Sequence, residues 1–131
     1  MAKYLLDTHT AIWALLGNDE KLSAKIKGII ADKTVELAIS IASAWEIAIK
    51  VSKGGKIADM SGAAVFIDKL RENGVEILGI TAEEVKIIES LPFIHNDPFD
   101  RIIIATAKHN GLTLISVDEN VQKYDVVCVC K

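Results

Sequence analysis

The sequence predicts an α/β domain: a parallel sheet with helices on both faces. Three observations carry this. Short apolar runs alternate with helix-period segments along almost the whole chain. Several of those runs, such as Tyr4-Leu5-Leu6, are continuously apolar rather than alternating, as strands are when both faces are covered. The third is size: 131 residues, half of them apolar and a quarter charged, fit a single domain spanning 1–131 with a core of its own. No repeat, low-complexity tract or Pro/Ser-rich linker divides it.

The elements follow in order. Residues 4–6 read as a strand, and 8–16 as a helix closed by Gly17-Asn18-Asp19. Leu22, Ile26, Ile29 and Ile30 recur at helical spacing, so 21–31 is a second helix. Residues 35–40 are a strand rich in branched side chains. Residues 44–51 form a helix stopped by Lys53-Gly54-Gly55-Lys56. A helix over 63–71 ends at Asn73-Gly74, and a strand follows over 75–78. Thr81 and Glu84 make a capping box that opens the next helix, which Leu91-Pro92 ends. After a loop over 93–98, residues 99–109 are a strongly apolar helix with Asn110-Gly111 as its stop. Residues 112–117 are a strand, 119–123 a short helix, and 126–129 the last strand.

Composition narrows function by exclusion. Fifteen basic against 18 acidic residues give a net charge of -3, which excludes an electrostatic nucleic-acid coat or a polybasic membrane anchor as the main mode. It leaves room for a nuclease, because a bound metal recruits phosphate where the surface does not. The first apolar run meets Asp7 after very few residues, unlike a signal peptide, and no apolar stretch is long enough to span a bilayer. Cys128 and Cys130 sit two apart, a spacing too strained for an easy disulfide, and read as reduced thiols beside the core. A cytoplasmic location fits. The mean hydropathy of +0.30 is high for a soluble domain and points to a buried interface with a partner or a second copy.

Right-handed crossovers put the carboxyl ends of all parallel strands along one edge, where such sheets bind ligands. Four acids map to that rim: Asp7 after the first strand, Glu46 in the first turn of the helix after the second, Asp100 in the first turn of the apolar helix, and Asp118 after Leu114-Ile115-Ser116-Val117. Each position also suits a helix cap. Asp7 can cap the helix from Thr8, Ser43-Ala44-Trp45-Glu46 has the form of a capping box, Asp100 suits its helix dipole, and Asp118 can cap the turn from Glu119. The conjunction is what caps do not explain. Carboxylates about 4 Å apart repel by ~4 kcal/mol at an effective dielectric near 20, so a fold that gathers them calls for a cation or raised pKa values. Oxygen donors without a His or Cys cluster suit Mg2+ or Mn2+ rather than zinc. Such a centre binds a phosphodiester oxygen, activates water and stabilises a leaving oxyanion.

At these residues the sequence resembles the PIN-domain family, and within it the VapC-like toxin ribonucleases of toxin–antitoxin pairs. The matching pieces are Leu5-Leu6-Asp7-Thr8-His9, Ser43-Ala44-Trp45-Glu46-Ile47, Asp97-Pro98-Phe99-Asp100-Arg101 with Ala105-Thr106-Ala107, and Leu114-Ile115-Ser116-Val117-Asp118. Together they cover nearly the whole chain. The resemblance implies a three-layer α/β/α sandwich with a central parallel sheet. It also implies a Mg2+- or Mn2+-dependent endoribonuclease cleaving single-stranded regions of RNA, neutralised by a cognate antitoxin, with a homodimer common. Carried over residue by residue, Asp7 and Asp100 correspond to the central metal ligands, Glu46 to the second acid, and Asp118 to the fourth. Ser116 stands where a small hydroxyl residue is usual, and Asp97 is a neighbouring accessory acid. Ser116-Val117-Asp118 departs mildly from the Thr-x-Asp of many relatives.

The remaining polar residues have plainer readings. His9 reads as structural, His95 as a solvated loop residue, and His109 as a partner for its helix dipole. Lys50, Lys53 and Lys56 trail the Glu46 helix and, with Arg101, are candidate RNA contacts or a solvated basic edge. Trp13 and Trp45 lie on apolar helical faces and read as core or interface. Two other classes compete. A non-catalytic RNA-binding or scaffold domain of the same fold would not need all four acids. An aspartyl phosphatase would want Asp-x-Asp where the chain has Asp7-Thr8-His9.

Overall fold

The computed structural model describes residues 3–16, 19–54 and 62–130. Five parallel strands form one sheet in the order β3-β2-β1-β4-β5: β1 Lys3–Leu6, β2 Glu36–Ser40, β3 Glu76–Leu78, β4 Thr113–Ile115 and β5 Cys128–Val129. Among the described residues six α-helices accompany them: α1 Thr8–Leu15, α2 Ala24–Ala31, α3 Ile41–Ser52, α4 Ala63–Glu72, α5 Ala82–Ser90 and α6 Pro98–Asn110.

Register decides which side chains face which layer. Leu6 pairs with Ile39 on one side and Ile115 on the other, and Leu5 with Ala38 and Leu114. Alternation sends the first trio to one face and the second to the other. Leu6, Ile39 and Ile115 pack with Ala11, Ile12, Ile26, Phe66 and Leu70 of α1, α2 and α4. Leu5, Ala38 and Leu114 pack with Leu91 and with Ile102, Ile103 and Ile104 of α6. Two cores separated by one sheet make the architecture a three-layer α/β/α sandwich. β1 lies at its centre. The chain winds from β1 to β2 and β3 on one side, then crosses back to place β4 on the other. The carboxyl ends of β1 and β4 are therefore a topological switch point.

The expected elements are present, with shifted ends. The second helix starts at Ala24 rather than residue 21, because the Ser23 hydroxyl accepts the Ile26 N–H at 3.2 Å and caps it; Asp19–Lys21 form a 3-10 turn before it. The third starts at Ile41 rather than residue 44. Ser40, the last residue of β2, is the cap, accepting the Ala42 N–H at 3.0 Å. The Ser43–Glu46 capping box is not made, and Glu46 sits in the second turn. The capping box at Thr81 and Glu84 is made in both directions. The turn expected over 119–123 is a 3-10 helix, Val121–Lys123. Pro98 at N1, the Asp97 cap and Gly111 at φ 64° delimit α6 as capping chemistry requires. Gly17, Asn18, Gly55 and Lys56 lie outside the described residues.

Candidate functional site

Asp7 follows β1 directly and is buried. Its Oδ1 accepts the Thr10 N–H at 2.8 Å, so it does cap α1. Its backbone N–H donates to Ile115 O of β4 at 3.1 Å, which fixes it at the switch point. Burial pushes its carboxyl above the usual carboxylate range, against hydrogen bonds from Ser116 and Thr10 that pull it down. Ser116 is fully buried and its Oγ also accepts the Asp118 N–H at 3.1 Å. One hydroxyl thus braces both acids.

Glu46 is buried on α3 and held by two donors. Thr8 Oγ1 lies 3.0 Å from Oε1 and 2.8 Å from Ser43 Oγ. A carboxylate only accepts, so the Thr8 proton goes to Glu46 and Ser43 can donate to Thr8. Lys50, one turn on, donates to Oε2 at 2.9 Å. That ion pair explains Lys50's place as a partner for Glu46. Lys53 caps the end of α3 and is exposed.

Asp100 and Asp118 meet around an imidazole. His95 Nε2 is 2.7 Å from Asp118 Oδ2 and 3.1 Å from Asp100 Oδ2. Among the described residues His95, Asp100 and Asp118 form the one group whose donor atoms all lie within 4.8 Å of one another. Asp7 and Glu46 stand outside that cluster, yet their charges bear on Asp100. Its carboxyl is raised to about 7 by burial first and by Asp97 next, with Glu46 and Asp7 adding to the rise and His95 opposing it. The carboxylates fit a hard divalent cation: they are partly desolvated oxygen donors from two helices and two strand ends, and among the described residues the lysine or arginine bonded to the four acids is Lys50, at Glu46.

Several sequence readings are corrected. His95 is not a solvated loop residue: its side chain is only 14% exposed and lies inside the site. Arg101 is not placed for RNA phosphate. It is buried, donating from Nη1 to Pro92 O (2.9 Å), His95 O (3.4 Å) and Tyr124 Oη (3.4 Å), and from Nη2 to Ile88 O (3.0 Å) and Leu91 O (3.2 Å). The sequence offers no local signal for this, since the acceptors are a tyrosine hydroxyl far along the chain and backbone carbonyls of α5 and the loop after it. Asp97 spends Oδ1 capping α6, on the Phe99 N–H at 2.8 Å and the Asp100 N–H at 3.4 Å. Of the two readings of Trp45, core or interface, its 57% exposure removes the core; it lies edge-on to Phe99 with ring centroids 5.1 Å apart. Cys128 and Cys130 are free thiols, as expected, and burial pushes Cys128 up to about 12.

Comparison with known proteins bears on family and fold. The PIN domain family model matches residues 4–127. Solved structures share the fold across nearly the full chain. One is VapBC2 from Rickettsia felis bound to a DNA fragment from their promoter, with TM-score 0.70, 17% identity, and 97% of each chain covered. Another is DNA-bound VapBC from Salmonella typhimurium, with TM-score 0.67, 16% identity, and 98% of this chain and 96% of that one covered. A third is VapC20 of Mycobacterium tuberculosis, described as a sarcin-ricin loop cleaving toxin, with TM-score 0.59, 19% identity, and 91% and 92% covered. No curated protein matches the chain.

Proposed function

This chain belongs to the PIN domain family, and from that premise we propose that it is a divalent-metal-dependent endoribonuclease. Its substrate is single-stranded RNA, and it is the toxin of a toxin–antitoxin pair, neutralised by a small antitoxin protein in the cytoplasm. The carrying observation is the acid rim at the switch point: Asp7, Glu46, Asp100 and Asp118, with Asp100 raised to about 7 by burial and by its acidic neighbours. A cluster of carboxylates held partly out of water beside one another is expected to hold a cation. The 131 residues are taken as one such domain. The similar chains in VapBC complexes support the antitoxin, and the cleaving toxin VapC20 supports hydrolysis of RNA.

Asp7 and Asp100 would hold the ion directly, with Glu46 and Asp118 completing the set; Mg2+ or Mn2+ suits these oxygens. When bound, the cation supplies charge neutralisation for the phosphodiester and a lowered pKa for water. The chain's own residues do the rest. Ser116 and Thr10 orient Asp7. Thr8 and Lys50 orient Glu46. The exposed Lys53 meets substrate phosphate. Attack of water on the phosphorus, with the 3′-oxygen as leaving group, would give 5′-phosphate and 3′-hydroxyl ends without a covalent intermediate. A homodimer would cover exposed apolar groups such as Trp45, Phe93 and Val127. Among the described residues no helix is long and apolar enough to cross a membrane.

The test is incubation of antitoxin-free protein with total cellular RNA, with Mg2+ or Mn2+, with EDTA, and with Asp100→Asn, followed by sequencing of new ends. Discrete 5′-phosphate ends, lost with EDTA and in the variant, are expected. No cleavage together with no Mn2+ binding by calorimetry would favour the scaffold reading instead.

A further inference from the structure

We propose that His95 is a positioning residue of this site: a neutral imidazole, locked in the Nε2–H tautomer, that donates across Asp100 and Asp118 and holds the two carboxylates together. Its functional consequence rests on the nuclease reading; its geometry does not.

The tautomer follows from the two ends of the ring. The Asp97 backbone N–H points at His95 Nδ1 at 3.2 Å. A backbone amide can only donate, so Nδ1 must present its lone pair. A neutral ring then carries its proton on Nε2. At that end the neighbours are Asp118 Oδ2 and Asp100 Oδ2, at 2.7 and 3.1 Å, both acceptors when ionised. Both ends agree on one tautomer. The alternative neutral tautomer would set N–H against N–H at Asp97 and leave a lone pair facing two carboxylates. The same logic separates His95 from the metal ligands. A ligating imidazole needs the Nε2 lone pair free, which this arrangement does not provide without giving up the bond from Asp97.

The surroundings are built to keep the ring there. The His95 N–H donates to Tyr124 Oη at 2.8 Å, and Tyr124 in turn donates to Pro92 O at 2.8 Å. Arg101 Nη1 reaches His95 O and Pro92 O from within α6, and its guanidinium lies 4.4 Å from the Phe93 ring centroid. Arg101 is a buried cation with no carboxylate partner among the described residues, bonded to carbonyls along Ile88–His95 and to a tyrosine hydroxyl. Fixing the end of α5 and the loop after it this firmly makes sense if one residue of that loop must not move. Asp118 needs the help most. Its Oδ1 takes the Asn120 N–H at 2.8 Å, and its Oδ2 has His95 as its hydrogen-bond donor.

The experiment uses the full chain and begins without a mutation. Long-range 1H–15N correlation of the imidazole nitrogens, in EDTA and then with saturating Mg2+, should show His95 neutral with Nε2 protonated in both. An Nδ1–H tautomer, or loss of the Nε2 proton on adding the ion, would overturn the proposal. Next, Mn2+ affinity is measured by calorimetry for His95→Ala and His95→Gln, with circular dichroism to confirm folding. Glutamine places an amide N–H near the Nε2 position. The alanine variant should lose ~10–100-fold in affinity, the range for groups that orient metal ligands, and glutamine should recover much of it. Equal losses would make His95 a ligand, and no loss in either would make it a bystander; both overturn the proposal. On RNA, His95→Ala should lower kcat with KM unchanged. A wild-type protein that cleaves no RNA, yet shows the tautomer and the graded affinities, would sink the nuclease reading and leave this one standing.

Discussion

The two halves of the acid rim are built differently. Asp7 and Glu46 rise from the sheet's centre and from the second turn of α3, buried and already matched to donors: Thr10 and Ser116 for one, Thr8 and Lys50 for the other. Asp100 and Asp118 come from a helix start and a loop. They are 24% and 36% exposed and share one imidazole. The first half is satisfied by the fold itself. The second is held in shape by a clamp acting at a distance and carries an excess of negative charge. The comparison teaches that the two sides differ in how they are held: the buried side is bonded by the fold and anchors, and the more exposed pair around His95 is the side open to a cation.

The largest break in that comparison should come from Arg101→Ala. It removes five bonds to carbonyl and hydroxyl acceptors in a buried setting, and should cost about 3 kcal/mol of stability. A urea midpoint within error of the wild type would refute the clamp. Arg101→Lys should not restore it, because one ammonium cannot span the same acceptors.

Asp100→Asn should split stability from activity. RNA cleavage should drop by about 10²-fold or more, while the metal-free protein becomes more stable at neutral pH and above, because a partly desolvated carboxylate is gone. A variant less stable than wild type at pH 8 in EDTA would argue that Asp100 is a structural acid.

A gentler probe is pH. Folding raises the Asp100 carboxyl from 3.8 to about 7, and Asp7 shifts in the same direction. Between those two values the folded chain keeps a proton that the unfolded chain has released. Metal-free stability should therefore fall as pH climbs from about 4 to 7 and level off above. Mg2+ binds the ionised form and should flatten or reverse the slope. Denaturation curves at pH 5 and 8, with EDTA and with Mg2+, would show it; a slope of the opposite sign in EDTA would mean that His95 or a hydrogen bond outweighs burial.

The smallest expected effect belongs to Lys53→Ala. If that exposed lysine meets one phosphate, the slope of log affinity for single-stranded RNA against log salt should shrink by about 0.7. An unchanged slope removes Lys53 from the RNA surface.

The fold was legible because its cues are local. Continuous apolar runs, the Thr81–Glu84 box, Asp97 before Pro98, and Gly111 after α6 each act within one turn of chain. The places of Asp7 and Asp118 were legible for a related reason: residues just after parallel strands land on one edge of the sheet. What was hidden depends on distant partners. Ser43-x-x-Glu46 has the form of a cap, but Thr8, nearly forty residues upstream, engages both side chains, and Ser40 caps the helix instead. His95 looks like any polar loop residue until Tyr124 and Asp118 arrive from beyond α6. Arg101 reads as a surface cation beside an acid, yet its acceptors are backbone carbonyls, which sequence does not label.

The central place of β1 also bears on how the protein is made. Tyr4 pairs with Leu37 on one side but with Thr113 on the other. On a ribosome adding roughly 5–20 residues per second, the β3-β2-β1 half of the sheet can pair and pack about 2–7 s before β4 is made. Until then one edge of β1 is open, Asp7 lacks the Ile115 carbonyl that fixes its backbone, and Ser116 and Asp118 do not yet exist. The rim of four acids is therefore complete only after β4 and the loop that carries Asp118 have been made.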